Sequence, residues 1–140
     1  MFNLYGNDRL TEWKEFRNSL EVSEDPLSAV AELWSRAPFV NHYLDPQNPK
    51  QWPDPWHLII DGKFDELAIA LGMLYTIKLT ERFIATPYEI HMTLPEKKEN
   101  SNFFLVVDNR YVLNYEPRFV VPVDVIFEKT NKIWAGETLP

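Results

Sequence analysis

Side chains that could do chemistry are sparse in this chain. Cysteine is absent, which excludes thiolate nucleophiles, disulfides and thiolate metal sites together. Three histidines remain: His42, His57 and His91. None stands three or four residues from another, the helical spacing that aims two imidazoles at one ion, so neither a metal nor a cofactor is expected. Asp65 and Glu66 are adjacent in a segment of helical pattern and point apart, which suits first-turn charges complementing a helix dipole better than an acid–base couple. Asp108 and Asp124 could form a glycosidase-like pair, but each has a simpler role, one in a turn and one on an exposed strand. One sequential order is suggestive: Gly62 opening a long apolar helix, then His91 on a strand, then Asp108 at the end of the next strand. A helix start, an imidazole and a carboxylate are the parts that covalent catalysis assembles around a nucleophile.

The elements that must position these residues follow from apolar spacing. Leu10, Trp13, Phe16 and Leu20 recur at helical intervals over Arg9–Leu20, with Asn7 or Asp8 available as cap. Asp25-Pro26 starts a second helix, along which Ala29, Val30, Leu33, Trp34 and Ala37 share one face and which Pro38 closes. Between Phe39 and Trp56 four prolines forbid regular structure, yet Phe39, Tyr43, Trp52 and Trp56 are too apolar for a flexible linker, so an ordered loop is predicted. Asp54-Pro55 caps a short helical turn through Ile60, stopped by Gly62. From Lys63 to about Leu79 apolar residues surround the helix, as expected of a central, buried one. After Pro87 the period becomes two: Tyr88, Ile90, Met92 and Leu94 face one way, and Glu89, His91 and Thr93 the other. A polar excursion over 96–102 leads to a strand Phe103–Val107, a tight turn at Asp108-Asn109 and a strand Tyr111–Tyr115, which together make an antiparallel meander. Phe119–Phe127 reads as a further edge strand because it carries Pro122, and the tail contributes Ile133 and Trp134. The expected fold is α+β: N-terminal helices and a central buried helix packed on a small antiparallel sheet, in one domain spanning 1–140.

Composition narrows function. The chain has 140 residues, 21 acidic against 14 basic, and a formal charge of −7, which repels phosphate backbones and makes nucleic acid an unsuitable partner. No signal-peptide pattern and no run of 18 apolar residues occurs, so neither secretion nor membrane insertion is expected. Five Trp, six Tyr and nine Phe must be buried or engaged at interfaces.

Two resemblances add to this reading. Gly62, Glu66 and Ala68, followed by His91 and Asp108, resemble the Gly-x-Cys-x-Asp/Glu-x-Ala helix start, strand His and following Asp of transglutaminase-like and papain-like enzymes, over roughly half the chain. In that alignment Phe64 occupies the cysteine position. The resemblance implies a degenerate site with relic positions Phe64, His91 and Asp108 and no acyl transfer, because a phenyl ring supplies no nucleophile. The plainer reading is that Gly62 separates two helices, His91 lies on a solvated strand face and Asp108 fills a turn. The second resemblance spans most of the chain. Leu10-Thr11-Glu12-Trp13-Lys14-Glu15-Phe16-Arg17, the box Trp52-Pro53-Asp54-Pro55-Trp56 and Ala70–Thr80 are similar to small proteins of tailed bacteriophages, cyanophages among them.

The expectation is therefore a non-catalytic phage protein, in the virion or in the host cytoplasm during infection. It would act by contact with a phage or host protein through Phe39, Tyr43, Trp52 and Trp56, and it is compatible with a homo-oligomer. For Trp52 and Trp56 the reading as plugs of the core beneath their loop takes precedence over that as grips for a partner, because rings so large are mostly buried. The competing expectations are a hydrolase or transferase using His91 and Asp108 with a Ser or Thr nucleophile, Thr76 and Thr80 being the candidates, and a purely structural virion module.

Overall fold

The computed structural model describes residues 1–41, 44–93, 102–126 and 130–136. Within them, helices α1 (Gly6–Leu20), α2 (Pro26–Trp34), α3 (Pro55–Asp61) and α4 (Glu66–Lys78) precede strands β1 (Tyr88–Thr93), β2 (Phe103–Val107), β3 (Tyr111–Glu116), β4 (Phe119–Pro122) and β5 (Thr130–Gly136). The fold is α+β, with the helices gathered on one face of an antiparallel sheet of order β4-β3-β2-β1-β5.

Helix boundaries are set by a few caps. Asp25 accepts the Ser28 N–H at 3.4 Å and Asp54 the His57 N–H at 2.9 Å, each ahead of a proline whose missing donor is harmless in the first turn. α2 stops at Trp34, short of Pro38, and a turn through Ser35 and Ala37 follows. At α1 the expectation of an Asn7 or Asp8 cap is corrected: the helix begins at Gly6, three residues before Arg9, Gly6 takes φ +53°, Tyr5 is the uncapped flank, and Asp8 lies inside the first turn. The start of α4 is corrected too. It begins at Glu66, because Asp65 is its cap and accepts the Ala68 N–H at 2.7 Å, while its other carboxylate oxygen holds the Leu44 N–H at 2.9 Å. Gly62 belongs to the preceding helix. It closes α3 at φ +65°, and a Cβ there would lie 2.2 Å from Nη1 of Arg9, a buried guanidinium that bonds the carbonyls of Ile59 and Leu4.

The meander forms as the alternation predicts. Asp108 and Asn109 both take φ 56°, the left-handed pair that a two-residue hairpin turn requires. Tyr88, Ile90, Phe103, Leu105, Val107 and Leu113 join the helices in the main core, whereas Phe104, Val106 and Val112 face the other side and pack with Tyr115, Val121 and Ile126. Two features differ from expectation. The strand predicted over Phe119–Phe127 ends at Pro122, which has no N–H to continue a ladder, and Val123–Val125 form a 3-10 turn; Phe127 lies outside the described residues. The tail segment becomes β5 and pairs with β1, which places β1 in the sheet interior.

At the centre, the Thr76 hydroxyl accepts the indole N–H of Trp13 and that of Trp34, each at 3.0 Å, and donates to the Gly72 carbonyl at 2.6 Å. All three residues are fully buried, so this hydroxyl satisfies two indoles that otherwise would be costly to bury. Gly72 is required by the same packing, since a Cβ there would sit 2.3 Å from the Trp34 ring.

Candidate functional site

The suspected relic positions do not converge. Phe64 is fully buried and meets Phe2 and Trp34 edge-to-face at 5.5 and 5.3 Å. Its backbone carbonyl accepts the Val40 N–H in a short parallel bridge with Phe39, so the residue is extended chain ahead of α4 rather than the first turn of a helix. His91 lies on the other side of the sheet. Its ring stacks on Phe104 at 5.6 Å, in the cluster that faces away from the helices, whereas the neighbouring Ile90 faces the core that contains Phe64. Asp108 sits exposed in the hairpin turn. Its backbone N–H bonds the Pro87 carbonyl, and the β1–β2 register, Tyr88 opposite Val107 and His91 opposite Phe104, separates it from His91 along the sheet. The alignment of Phe64, His91 and Asp108 as one site is thus corrected. The two-residue strand period turns His91 to the face opposite Ile90, away from the core that holds Phe64, and the hairpin register keeps Asp108 at the far end of the strand.

Thr76 and Thr80 are corrected as nucleophile candidates. Both lone pairs and the proton of Thr76 are engaged as above, and Thr80 donates to Ile77 O at 2.7 Å while accepting the Phe83 N–H at 3.3 Å. The Thr76 hydroxyl is thereby saturated, and that of Thr80 is buried with its proton committed to a carbonyl, so neither faces a substrate or a general base.

His91 has instead assembled different partners. One ring nitrogen, Nδ1, lies 2.9 Å from Thr130 Oγ1 and the other, Nε2, 2.8 Å from Glu89 Oε1, while Glu89 Oε2 takes the Lys132 ammonium at 2.8 Å. Burial alone would raise the Glu89 pKa, but the hydrogen bonds and charges of Lys132 and His91 outweigh it and hold the carboxyl below its ordinary value. The His91 side chain is 17% exposed, so this hydroxyl–imidazole–carboxylate chain is reachable from solvent at its margin. Glu89 and His91 were visible as one face of a strand. Thr130 was not, because its approach depends on the β1–β5 pairing. Elsewhere Glu66, half-buried at the start of α4, has its pKa raised by burial, offset in part by the Asn114 amide at 3.4 Å.

The aromatic surface candidates separate. Trp52 is buried, with its indole N–H on the Asp45 carbonyl at 2.8 Å; it plugs the core and is corrected as a contact residue. Phe39 and Trp56 stand 56% and 46% exposed. Tyr43 and His42 lie outside the described residues. Trp56 meets Trp13 edge-to-face at 5.8 Å, which fixes the α3 ring against α1. Asp124 is exposed in the 3-10 turn after β4. His57 is held by Asp54 at 2.7 Å on the outside of α3. Among the described residues no three His, Asp or Glu side chains come together in a way that could hold a metal ion, and no helix is long and apolar enough to cross a membrane.

The architecture defines the class, an α+β protein of helices on a five-stranded antiparallel sheet. Comparison with protein-family models, with curated proteins and with solved structures finds no match.

Proposed function

We propose that this chain is a tailed-phage protein that works without catalysis, through contact with a protein partner, as a minor virion component or as a factor acting in the host cytoplasm. The observation that carries the reading is the contrast in its aromatic residues: Phe64 is locked in a buried cluster of rings, while Phe39 and Trp56 are exposed on backbone fixed by hydrogen bonds and caps. Exposed aromatics on a rigid scaffold are what binding hot spots are made of, since little entropy is lost on contact. The similarity of Leu10–Arg17, the Trp-Pro box and Ala70–Thr80 to phage proteins supports the source. Mass spectrometry of purified particles beside infected-cell lysate tests it. Stoichiometric presence in particles means a virion part and presence in lysate alone an infection factor, whereas failure to find the chain in either rejects the viral reading.

A second reading rests on the chain Thr130–His91–Glu89. A hydroxyl, an imidazole and a carboxylate within hydrogen-bond reach in series are the parts of a nucleophilic hydrolase: Thr130 would attack an ester carbonyl as His91 takes its proton, the imidazolium, stabilised by Glu89, would return that proton to the alcohol as the ester C–O bond breaks, and water would then release the acid from Thr130. Hydrolysis of p-nitrophenyl acetate that is lost in both His91→Ala and Thr130→Val would establish this reading in place of the first. Rates equal to buffer in all three proteins would reject it.

A further inference from the structure

Arg17 projects from α1 one turn after Trp13. Its guanidinium carbon lies 4.3 Å from the centroid of the Trp13 ring and 5.8 Å from that of Trp56. A cation over rings is held by the ring faces, and such a contact uses none of the hydrogen-bonding capacity of the terminal N–H groups. Among the described residues no oxygen accepts from this side chain, and its Nε is cut off from water without a partner. The natural neighbour, Glu21 at the i,i+4 position, has both carboxylate oxygens committed to the backbone N–H groups of Glu81 and Arg82. Among the described residues, then, no carboxylate pairs with this cation, although the chain carries 21 acidic residues in all. Beside it, Trp56 and Ile60 lie four residues apart on α3, hence on one face, and are 46% and 44% exposed.

We propose that this α1–α3 seam docks a segment of a partner protein in which a carboxylate side chain is followed closely by a bulky apolar one. The carboxylate takes the Arg17 fork, and the apolar side chain covers Trp56 and Ile60. The inference rests on the contact reading above and gives that contact its chemistry. Charge decides the occupant: the guanidinium is already stripped of part of its water in the free chain, so an arriving carboxylate gains a charge-assisted pair without incurring that desolvation again. A polyanion such as nucleic acid would meet the same cation but be repelled by the net charge of −7.

Panning a random peptide library on the full chain, then titrating the enriched peptide by calorimetry, tests this. The expected result is enrichment of peptides with an acidic residue near a Trp, Phe or Leu. Their affinity should fall about ten- to a hundredfold in Arg17→Gln, consistent with loss of a hydrogen bond to a charged group, and should weaken with added salt. Should Arg17→Gln fail to fold, the enriched peptide with its acid changed to the amide is titrated against the unaltered chain, and the same fall is expected. Enriched peptides that lack an acidic residue but are lost in Trp56→Ser overturn the carboxylate while leaving the contact reading intact. Binding that depends on Phe39 and not on Trp56 or Arg17 overturns the seam alone. Self-association abolished by Trp56→Ser assigns the seam to a second copy and overturns the partner proposal. An empty selection overturns the inference, and the particle experiment then judges the contact reading separately.

Discussion

Trp13 and Trp34 inside the molecule and Trp56 at its surface are the same residue type treated in opposite ways. Inside, both indole N–H groups end on one threonine hydroxyl and a glycine makes room for the ring, so every polar atom is matched within the chain. Outside, Trp56 leans on Trp13 and supports a guanidinium that nothing in the described chain pairs. The difference separates residues that specify the fold from residues held ready for another molecule. Polar atoms satisfied internally mark the first group, and a cation stacked but unpaired marks the second.

Substitutions should follow that division. Thr76→Val removes the shared acceptor and strands two buried indole N–H groups, with a loss of about 2–6 kcal/mol at about 1–3 kcal/mol per stranded group, measured by urea unfolding. A loss below about 1 kcal/mol would mean that the two indoles find other acceptors and that the hydroxyl is not the keystone of the helical layer. Gly72→Ala forces a methyl into the Trp34 ring and should destabilise by about 1–3 kcal/mol, a test of whether α2 and α4 can shift apart. Asp65→Ala removes the α4 cap and releases Leu44, at a cost of about 1–2 kcal/mol. Trp56→Ser should change stability by less than about 1 kcal/mol, because the ring is half in water already. A larger effect would move Trp56 to the fold-specifying group and erase the comparison. The smallest effect is in pH dependence. The Glu89 carboxyl is held below its ordinary value of 4.5, so its contribution to stability is present above that value and is lost as pH falls through the lower folded-state value. Glu89→Gln should remove this segment of the acid-unfolding curve, and superimposable curves for the two proteins would show the Lys132 and His91 contacts to be energetically idle.

Legibility in the sequence tracked locality. The Asp25-Pro26 and Asp54-Pro55 caps, the stop at Gly62, the apolar arc of α4 and the turn at Asp108-Asn109 are decided by residues within a few positions of one another, and each was readable. β5 was not, because Thr130-Asn131-Lys132-Ile133-Trp134 lacks a clean period of two and becomes a strand only by pairing with β1. With it went the approach of Thr130 to His91. The Thr76 acceptor was hidden for a related reason: a lone threonine on an apolar helix gives no sign of which indoles two other helices will bring to it. A weak signal existed, since two tryptophans on buried helix faces must find acceptors somewhere. The order Gly62, His91, Asp108 was misleading because chain order carries no information about the face of a sheet, which the alternation at Ile90 and His91 does carry.

The position of β5 also bears on how the molecule comes apart. β5 closes the β1 side of the sheet through a connection that bypasses three strands, and its residues are at most partly buried, as befits an edge strand. Detachment would uncover a row of unpaired amides on β1, flanked by Tyr88, Ile90 and Met92, which is the template that amyloid-like growth and strand exchange exploit. By bridging the two strands, the Glu89–Lys132 pair adds to the contacts that keep this row of amides covered.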